Sequence, residues 1–286
     1  MKIRPVALSL LIALSAPCAL NAQTFGSDTG DDFRRLTKEE GAKVLADFRR
    51  SRVSGERRMR FVITHSERNA DEDTRYVGEM CVAPTPEGLV TRVDLRAEGR
   101  PESERRSFLI VNGARTAVYG VTAGGKVGRV DDEALKPMLP GLVFTPYDLQ
   151  MPFIHWPEFK YRRTERFRTR PTDYFDMTPD AEFRKAHPGI SGVNLGFDRA
   201  YKALMRAETR GGDGRAVRDL RAESFGKVRG EWTIRSLRLR DERTRAADTL
   251  EVTGVAAGDL PSSVFTPEGL LSPLPPAPDA AFEKID

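Results

Sequence analysis

The stretch M-R-F-V-I-T, residues 59–64, carries the pattern that decides the fold class. Its large apolar residues Met59, Phe61 and Ile63 recur at every second position, with Arg60 between the first two. Successive side chains of a β-strand point to opposite faces of a sheet, so this spacing puts the three apolar side chains on one face. The stretch therefore predicts a strand with one buried face.

The same period of two extends outward from this stretch along most of the chain. It recurs over residues 75–82 and 89–96, and glycine-containing pairs at 112–113 and 124–125 supply the positive φ angles that tight hairpins require. Strand-like segments resume between residues 161 and 255. About a dozen strands with no helices alternating between them predict an all-β fold, with an antiparallel sheet that is curved or partly closed.

Two segments interrupt the strand pattern. The first begins at Thr37, a capping residue followed by Glu40 three positions later and by Leu45 and Phe48 on one helical face, so we expect one amphipathic helix there. The second, residues 131–156, has prolines between short apolar pieces. Long connectors inside compact domains are often lids or binding loops.

Residues 1–22 have the three parts of a cleavable secretory signal: Lys2 and Arg4, an apolar run, and small residues before a predicted cut after Ala22. The apolar run is too short for a spanning helix, which needs about 20 apolar residues. Cys18 raises the alternative of a lipidated chain tethered to a membrane, but the proline directly before it argues against lipidation. We therefore expect an exported protein without a transmembrane segment after signal cleavage.

The composition argues against several classes of function. Removal of Lys2 and Arg4 lowers the formal net charge from +4 to +2, and the charges are interspersed, so no basic face for nucleic acid is expected. His65, His155 and His187 have no second ligand at metal-binding spacing. Neither a nucleophile elbow nor a phosphate loop occurs. We expect no metal, no cofactor and no catalytic residue.

Arg166, Arg168 and Arg170 recur at every second position. In a continuous strand, their guanidinium groups would share one face. That face is either the solvated outside of an edge strand or a basic patch that contacts anionic head groups or an acidic partner. The spacing leaves both interpretations open.

The apolar face of the predicted sheet leaves a similar choice. Its large residues either fill an ordinary core or line a cavity for an apolar ligand, as in many closed and half-closed barrels. The residues concerned are Phe61, Ile63, Tyr76, Met80, Val93, Phe108 and Tyr119. Periodicity alone does not separate a filled interior from a hollow one.

Several motifs in the second half of the chain follow one another in a familiar order. They are Leu195-Gly-Phe-Asp198, Leu204-Met-Arg-Ala-Glu208, Gly230-Glu-Trp232, Thr249-Leu-Glu-Val252 and Leu260-Pro-Ser-Ser-Val-Phe-Thr266, preceded by Thr145-Pro-Tyr-Asp148-Leu149. Over residues 140–270, this series resembles the outer-membrane lipoprotein-sorting family, the LolA/LolB-like proteins. The resemblance is strongest in that region.

The resemblance implies an open, strongly curved antiparallel sheet, a half-barrel, whose apolar concave side is covered by a helical lid. Members shield the acyl chains of lipoproteins or related lipids across the periplasm and are not enzymes. For this chain, it implies a periplasmic carrier with a transport partner at the inner or outer membrane. Phe144, Tyr147, Phe153 and Trp156 then join the apolar residues above as lining or lid candidates.

Two other functions stay open. One is an envelope sensor or adaptor of the same fold that binds a protein partner through the arginine-rich strand, and the other is a hydrolase. We expect a single domain over residues 23–270. Residues 271–286 are rich in proline and alanine, and we expect them to form a disordered tail.

Overall fold

The structure, a computed structural model, describes residues 33–50, 55–85, 88–113, 116–122, 124–131 and 134–286. The predicted signal at residues 1–22 lies outside these ranges. Within them, no helix combines the length and apolar character needed to cross a bilayer.

Among the residues that the structure describes, thirteen antiparallel strands form a single sheet, as the period of two predicts. The strands are β1 (Arg57–Ser66), β2 (Thr74–Thr85), β3 (Gly88–Ala97), β4 (Arg106–Gly113), β5 (Ala117–Val121), β6 (Val127–Arg129), β7 (Glu158–Phe167), β8 (Arg170–Thr178), β9 (Ile190–Asp198), β10 (Leu204–Gly211), β11 (Ala216–Val228), β12 (Glu231–Asp241) and β13 (Ala247–Ala257). β1 pairs with β13 and so joins two meanders, one running out to β6 and the other to β7. In the part of the chain described, these two edge strands do not pair, so the predicted open, curved sheet is confirmed.

The alternating residues of the N-terminal strands form rows across the sheet. Met59, Met80, Val93 and Phe108 lie opposite one another in β1, β2, β3 and β4. All four are buried. Directly opposed side chains share a face and pack together, so this row contributes a continuous apolar band to the concave side.

Within the described ranges, three α-helices accompany the sheet: α1 (Lys38–Arg50), α2 (Pro146–Gln150) and α3 (Ala181–Ala186). α1 begins with the predicted capping box, because Thr37 Oγ1 accepts from Glu40 N over 3.2 Å and Glu40 Oε2 accepts from Thr37 N over 2.8 Å. Its apolar side is buried, and the ring of Phe48 lies 4.3 Å from the ring of Phe197. α1 therefore packs on the concave side of the sheet.

The C-terminal residues 271–286, here called the strap, are ordered, and their first part lies against the convex side of the sheet. Arg58 Nη1 donates to the carbonyl of Pro275 over 2.6 Å, and Arg92 Nη2 donates to the carbonyl of Ser272 over 2.6 Å. Proline has no N–H, yet its carbonyl still accepts, and arginines of the sheet supply the donors. The expectation of a disordered tail is therefore wrong.

The end of the strap also pairs with free backbone groups of the sheet. Val255 and Glu283 exchange two hydrogen bonds of 2.9 Å, and Lys227 and Asp286 exchange two of 3.2 Å. Gly226 leaves room for this contact, because a Cβ there would collide with Ile285 and Asp286. The strap thus links β13 to β11.

Candidate functional site

The concave face carries one continuous buried apolar cluster. It brings together ten of the eleven residues that the sequence selects as lining or lid candidates: Phe61, Ile63, Tyr76, Met80, Val93, Phe108, Phe144, Tyr147, Phe153 and Trp156. Each of the ten is at most 8% exposed. The first six come from the sheet, and the other four come from residues 134–156, here called the lid.

Tyr119 lies elsewhere. It is opposite Leu109, and both side chains point to the convex face, where they join a separate cluster with Val90 and Leu270. Phe108 and Gly120, its partner in β5, occupy the concave side at this point. The prediction that Tyr119 shares the lining with Phe108 is therefore wrong by one position in register.

The lid folds locally around a short helix. Thr145 precedes α2, and its backbone N–H donates to Asp148 Oδ2 over 2.8 Å, while Pro146 occupies the first helical position, where no N–H is needed. Met151, with a φ of 48°, ends the helix and redirects the chain. Asp148 also pairs with Arg218 of β11, so the helix start is fastened to the sheet.

A buried carboxylate holds the middle of the lid. Asp248 Oδ2 accepts from the backbone N–H groups of Val143 and Phe144, each over 2.7 Å, and its Oδ1 lies 2.6 Å from His65 Nδ1. Burial raises the pKa of Asp248, although the hydrogen bonds from His65 and the two amides act in the opposite direction. We call this arrangement the latch.

Two further fastenings lie at the ends of the lid. Tyr76 donates its hydroxyl to the carbonyl of Pro140 over 2.8 Å. Arg49 of α1 donates to the carbonyls of Ile154 and Trp156 over 2.7 and 2.8 Å. The lid is thus attached by a small number of polar contacts around an apolar interface.

Aromatic rings fill the space between the lid and α3. The ring of Tyr147 lies 5.7 Å from Phe153 and 5.8 Å from Phe183, and Trp156 lies 5.0 Å from Phe183. Edge-on and tilted pairs at these distances are favourable beyond simple burial. No local pattern marks Phe183 as a lid contact, because it belongs to a helix of only six residues with no clear apolar face.

A cleft of about 500 Å³ opens along the margin of the lid. Gly141, Leu142 and Val143 of the lid form one wall, and His65 and Arg218 are among the residues of the sheet that line it. It is mixed in polarity and adjoins the latch. The cleft marks the place where the lid meets the surface.

The three arginines do not form one patch. Arg166 lies in β7, but Arg168 has a φ of 55° in a two-residue hairpin loop, and Arg170 begins β8. Arg168 pairs with Glu223, Arg170 pairs with Asp198, and Arg166 lies over the ring of Phe33. The predicted single face is wrong because the chain reverses between the second and third arginines.

Reactive groups are sparse in the described ranges. They contain no cluster of three metal-binding side chains. Burial raises the pKa of Cys81 to about 12, so this thiol stays protonated at neutral pH. Its position in β2, under the strap side of the sheet, gives it a packing role.

No protein-family model and no curated protein sequence matches the chain. Several solved structures are similar to it. An outer membrane lipoprotein-sorting protein domain from Vibrio parahaemolyticus is 13% identical, with a TM-score of 0.68 over 82% of this chain and 99% of that domain. A DUF1329 family protein from Desulfovibrio piger is also 13% identical, with a TM-score of 0.66 over 81% of this chain and 98% of that one.

A LolA superfamily protein from Nitrosomonas europaea is 15% identical, with a TM-score of 0.57 over 81% of this chain and 98% of that protein. Because these identities are so low, the structural likeness establishes the fold and leaves the ligand open. The three likenesses cover most of the chain, in agreement with the resemblance drawn from its motifs. The chain therefore has the fold of the LolA superfamily and of outer-membrane lipoprotein-sorting domains.

Proposed function

We propose that this chain is a periplasmic carrier that shields the acyl chains of lipoproteins or related lipids during transfer to the outer membrane. The observation that carries the proposal is the continuous apolar cluster shared by the concave face and the lid. A lid, unlike a second sheet, can move away without breaking the main-chain ladder. The protein would then hold an acyl chain where lid side chains now pack.

The energies favour such an exchange. Burial of an acyl chain contributes about 0.8 kcal/mol per CH₂, or roughly 10 kcal/mol for a chain of about 16 carbons before the costs of association. Each hydrogen bond that fastens the lid contributes only about 1 kcal/mol net. A bound acyl chain therefore offsets the release of several fastenings, including the two amide contacts of Asp248, as long as the apolar side chains of the lid repack on the acyl chain and do not enter water.

The proposal needs no catalytic group. The arginine-rich strand does not favour the alternative adaptor function, because Arg168 and Arg170 already form ion pairs with Glu223 and Asp198. A transport partner at either membrane would instead meet the lid margin, where the cleft lies.

The first experiment is extraction of the purified protein with organic solvent, followed by lipid mass spectrometry. We expect co-purified acyl lipids, and uptake of a fluorescent fatty acid by delipidated protein. A protein that stays lipid-free and takes up no fatty acid would overturn the carrier proposal.

The protein has two tryptophans, and their fluorescence can show where a bound acyl chain lies. Trp156 lies in the lid cluster, whereas Trp232 lies outside it, beside Tyr201 and Lys227. A brominated fatty acid should strongly quench the fluorescence of Trp232→Phe protein, which retains Trp156. The fluorescence of the matched Trp156→Phe protein should be quenched weakly. Equal quenching of the two variants would place the acyl chain outside the interior beneath the lid.

A further inference from the structure

Four buried polar side-chain atoms have no hydrogen-bond partner within the described ranges: Arg57 Nε, His65 Nε2, Thr91 Oγ1 and the hydroxyl of Tyr147. Arg57 and His65 are still anchored through their other nitrogens, to Glu231 and Asp248. Thr91 and Tyr147 have no such anchor. Of these two, Tyr147 belongs to the moving element of the proposed carrier.

The Tyr147 hydroxyl is unusual for its surroundings. The residue is 2% exposed, and its ring packs against Phe153 and Phe183. The adjacent carboxylate of Asp148 is already bonded to Thr145 and Arg218. A phenylalanine would fill the same volume without an unpaired buried oxygen, so the hydroxyl destabilises the empty, closed protein.

The surroundings of the Tyr147 hydroxyl limit which chemical groups could be its hydrogen-bond partner. Burial raises the pKa of Tyr147 well above its usual value, so the hydroxyl keeps its proton and acts as a donor. A protonated phenol can accept as well as donate, but only an acceptor can satisfy its O–H. Arg218, the cation whose charge acts on the Tyr147 hydroxyl among the described residues, is paired with Asp148 and so does not offer an unpaired positive charge to an anionic group. An uncharged carbonyl fits this position.

Resting on the proposed carrier function, we propose that the Tyr147 hydroxyl donates a hydrogen bond to the ester or amide carbonyl of the bound acyl group. This selects esterified or amide-linked acyl chains over chains of the same length without a carbonyl. Tyr147 is then a specificity-determining residue of the interior, and its orphan hydroxyl in the empty protein finds its partner in the cargo.

The test compares methyl hexadecanoate with hexadecyl methyl ether, which have similar chains but differ in the carbonyl. Each displaces a fluorescent fatty acid from wild-type, Tyr147→Phe and Tyr174→Phe proteins. Tyr174 is a buried tyrosine of the convex face, beside Arg163 and Arg206, so it is the matched control. We expect wild type and Tyr174→Phe to prefer the ester by about tenfold, in line with one hydrogen bond, and Tyr147→Phe to lose the preference.

A spectroscopic readout makes the test independent of the measured affinities. Relative to its value in hexane, the infrared stretch of ¹³C-carbonyl-labelled methyl hexadecanoate should lie at lower frequency when the ester is bound to wild type and be unshifted when it is bound to Tyr147→Phe. Equal binding of ester and ether to wild type, or an unshifted carbonyl, would overturn the Tyr147 inference alone. Failure of both ligands to bind any of the proteins would overturn the carrier function and this inference with it.

Discussion

His65 Nδ1 lies 2.6 Å from Asp248 Oδ1, and the other oxygen of the same carboxylate accepts two backbone amides of the lid. The histidine comes from β1 and the aspartate from β13, the two strands that join the meanders. The centre of the sheet is thus connected directly to the lid, and we expect the latch to control the lid movement that the carrier proposal requires.

Removal of the latch should free the lid. Asp248→Ala leaves His65 and the amides of Val143 and Phe144 without their shared acceptor, at a cost of about 3 kcal/mol in the free energy of unfolding. Urea unfolding measures the loss, and hydrogen exchange at the two amides locates it. Glu67→Ala is the control, since Glu67 is 65% exposed and 3.6 Å from the same ring. Unchanged protection of both amides would contradict the latch.

The capping box of α1 should make stability depend on pH. Hydrogen bonds from Arg34 and from the backbone of Thr37 lower the pKa of Glu40 from its usual 4.5 to about 2. A lowered pKa gives stability that is full above pH 4.5 and is lost as pH falls toward 2. Wild type should therefore melt above Glu40→Gln at pH 7, and this difference should shrink between pH 4.5 and 2.

The neighbouring acid of the first turn provides the comparison for this pH effect. Glu39 also lies at the start of α1 but takes no part in the capping box. Glu39→Gln should melt close to wild type across the same range. A pH-independent gap between wild type and Glu40→Gln in thermal melts would contradict the assignment.

The strap should contribute to stability through its close contact with β11. Gly226→Ala adds a methyl group that collides with Ile285 and Asp286, so we expect a loss of about 1–3 kcal/mol and faster exchange of the Lys227 amide. A Cβ at Gly189 meets no atom within 4 Å, so Gly189→Ala should leave stability nearly unchanged. Equal effects of the two substitutions would indicate that the strap does not hold its place.

Arg170 should matter for stability rather than for partner binding. It pairs with Asp198, whose side chain is 1% exposed, and its guanidinium lies 4.2 Å from the centre of the Tyr201 ring. Arg170→Ala removes the charged partner of this carboxylate and leaves it only the backbone N–H groups of Ala200 and Tyr201, so we expect a loss of about 2–3 kcal/mol in chemical denaturation. Arg163→Ala is the matched control, because Arg163 pairs with the exposed Glu165. If both variants unfold at the same denaturant concentration, the pair does not stabilise the fold.

The fold and most of the lining follow from local patterns. The period of two through Met59, Phe61 and Ile63 places apolar side chains on one face whatever the neighbouring strands are. The capping box at Thr37 and Glu40 is equally local. These features depend on residues a few positions apart, and for that reason the sequence predicts them.

The remaining features depend on contacts between distant residues. His65 and Asp248 are 183 positions apart, so no spacing rule connects them, and only the pairing of β1 with β13 brings them together. Tyr119 lies on the face opposite to the one expected, because the register of a short strand is set by the strand with which it pairs. A hairpin separated Arg168 from Arg170 where an uninterrupted strand was expected.

The sequence by itself determined a curved antiparallel sheet with one apolar face and a helix at its start, because alternation and capping act within a few residues of one chain segment. Tertiary structure alone decided how the lid is held on this face, that Asp248 fastens it and that the strap folds back on the sheet. Each of these depends on a buried polar group finding a partner from a remote strand, since an unpaired one is too costly to keep without a reason.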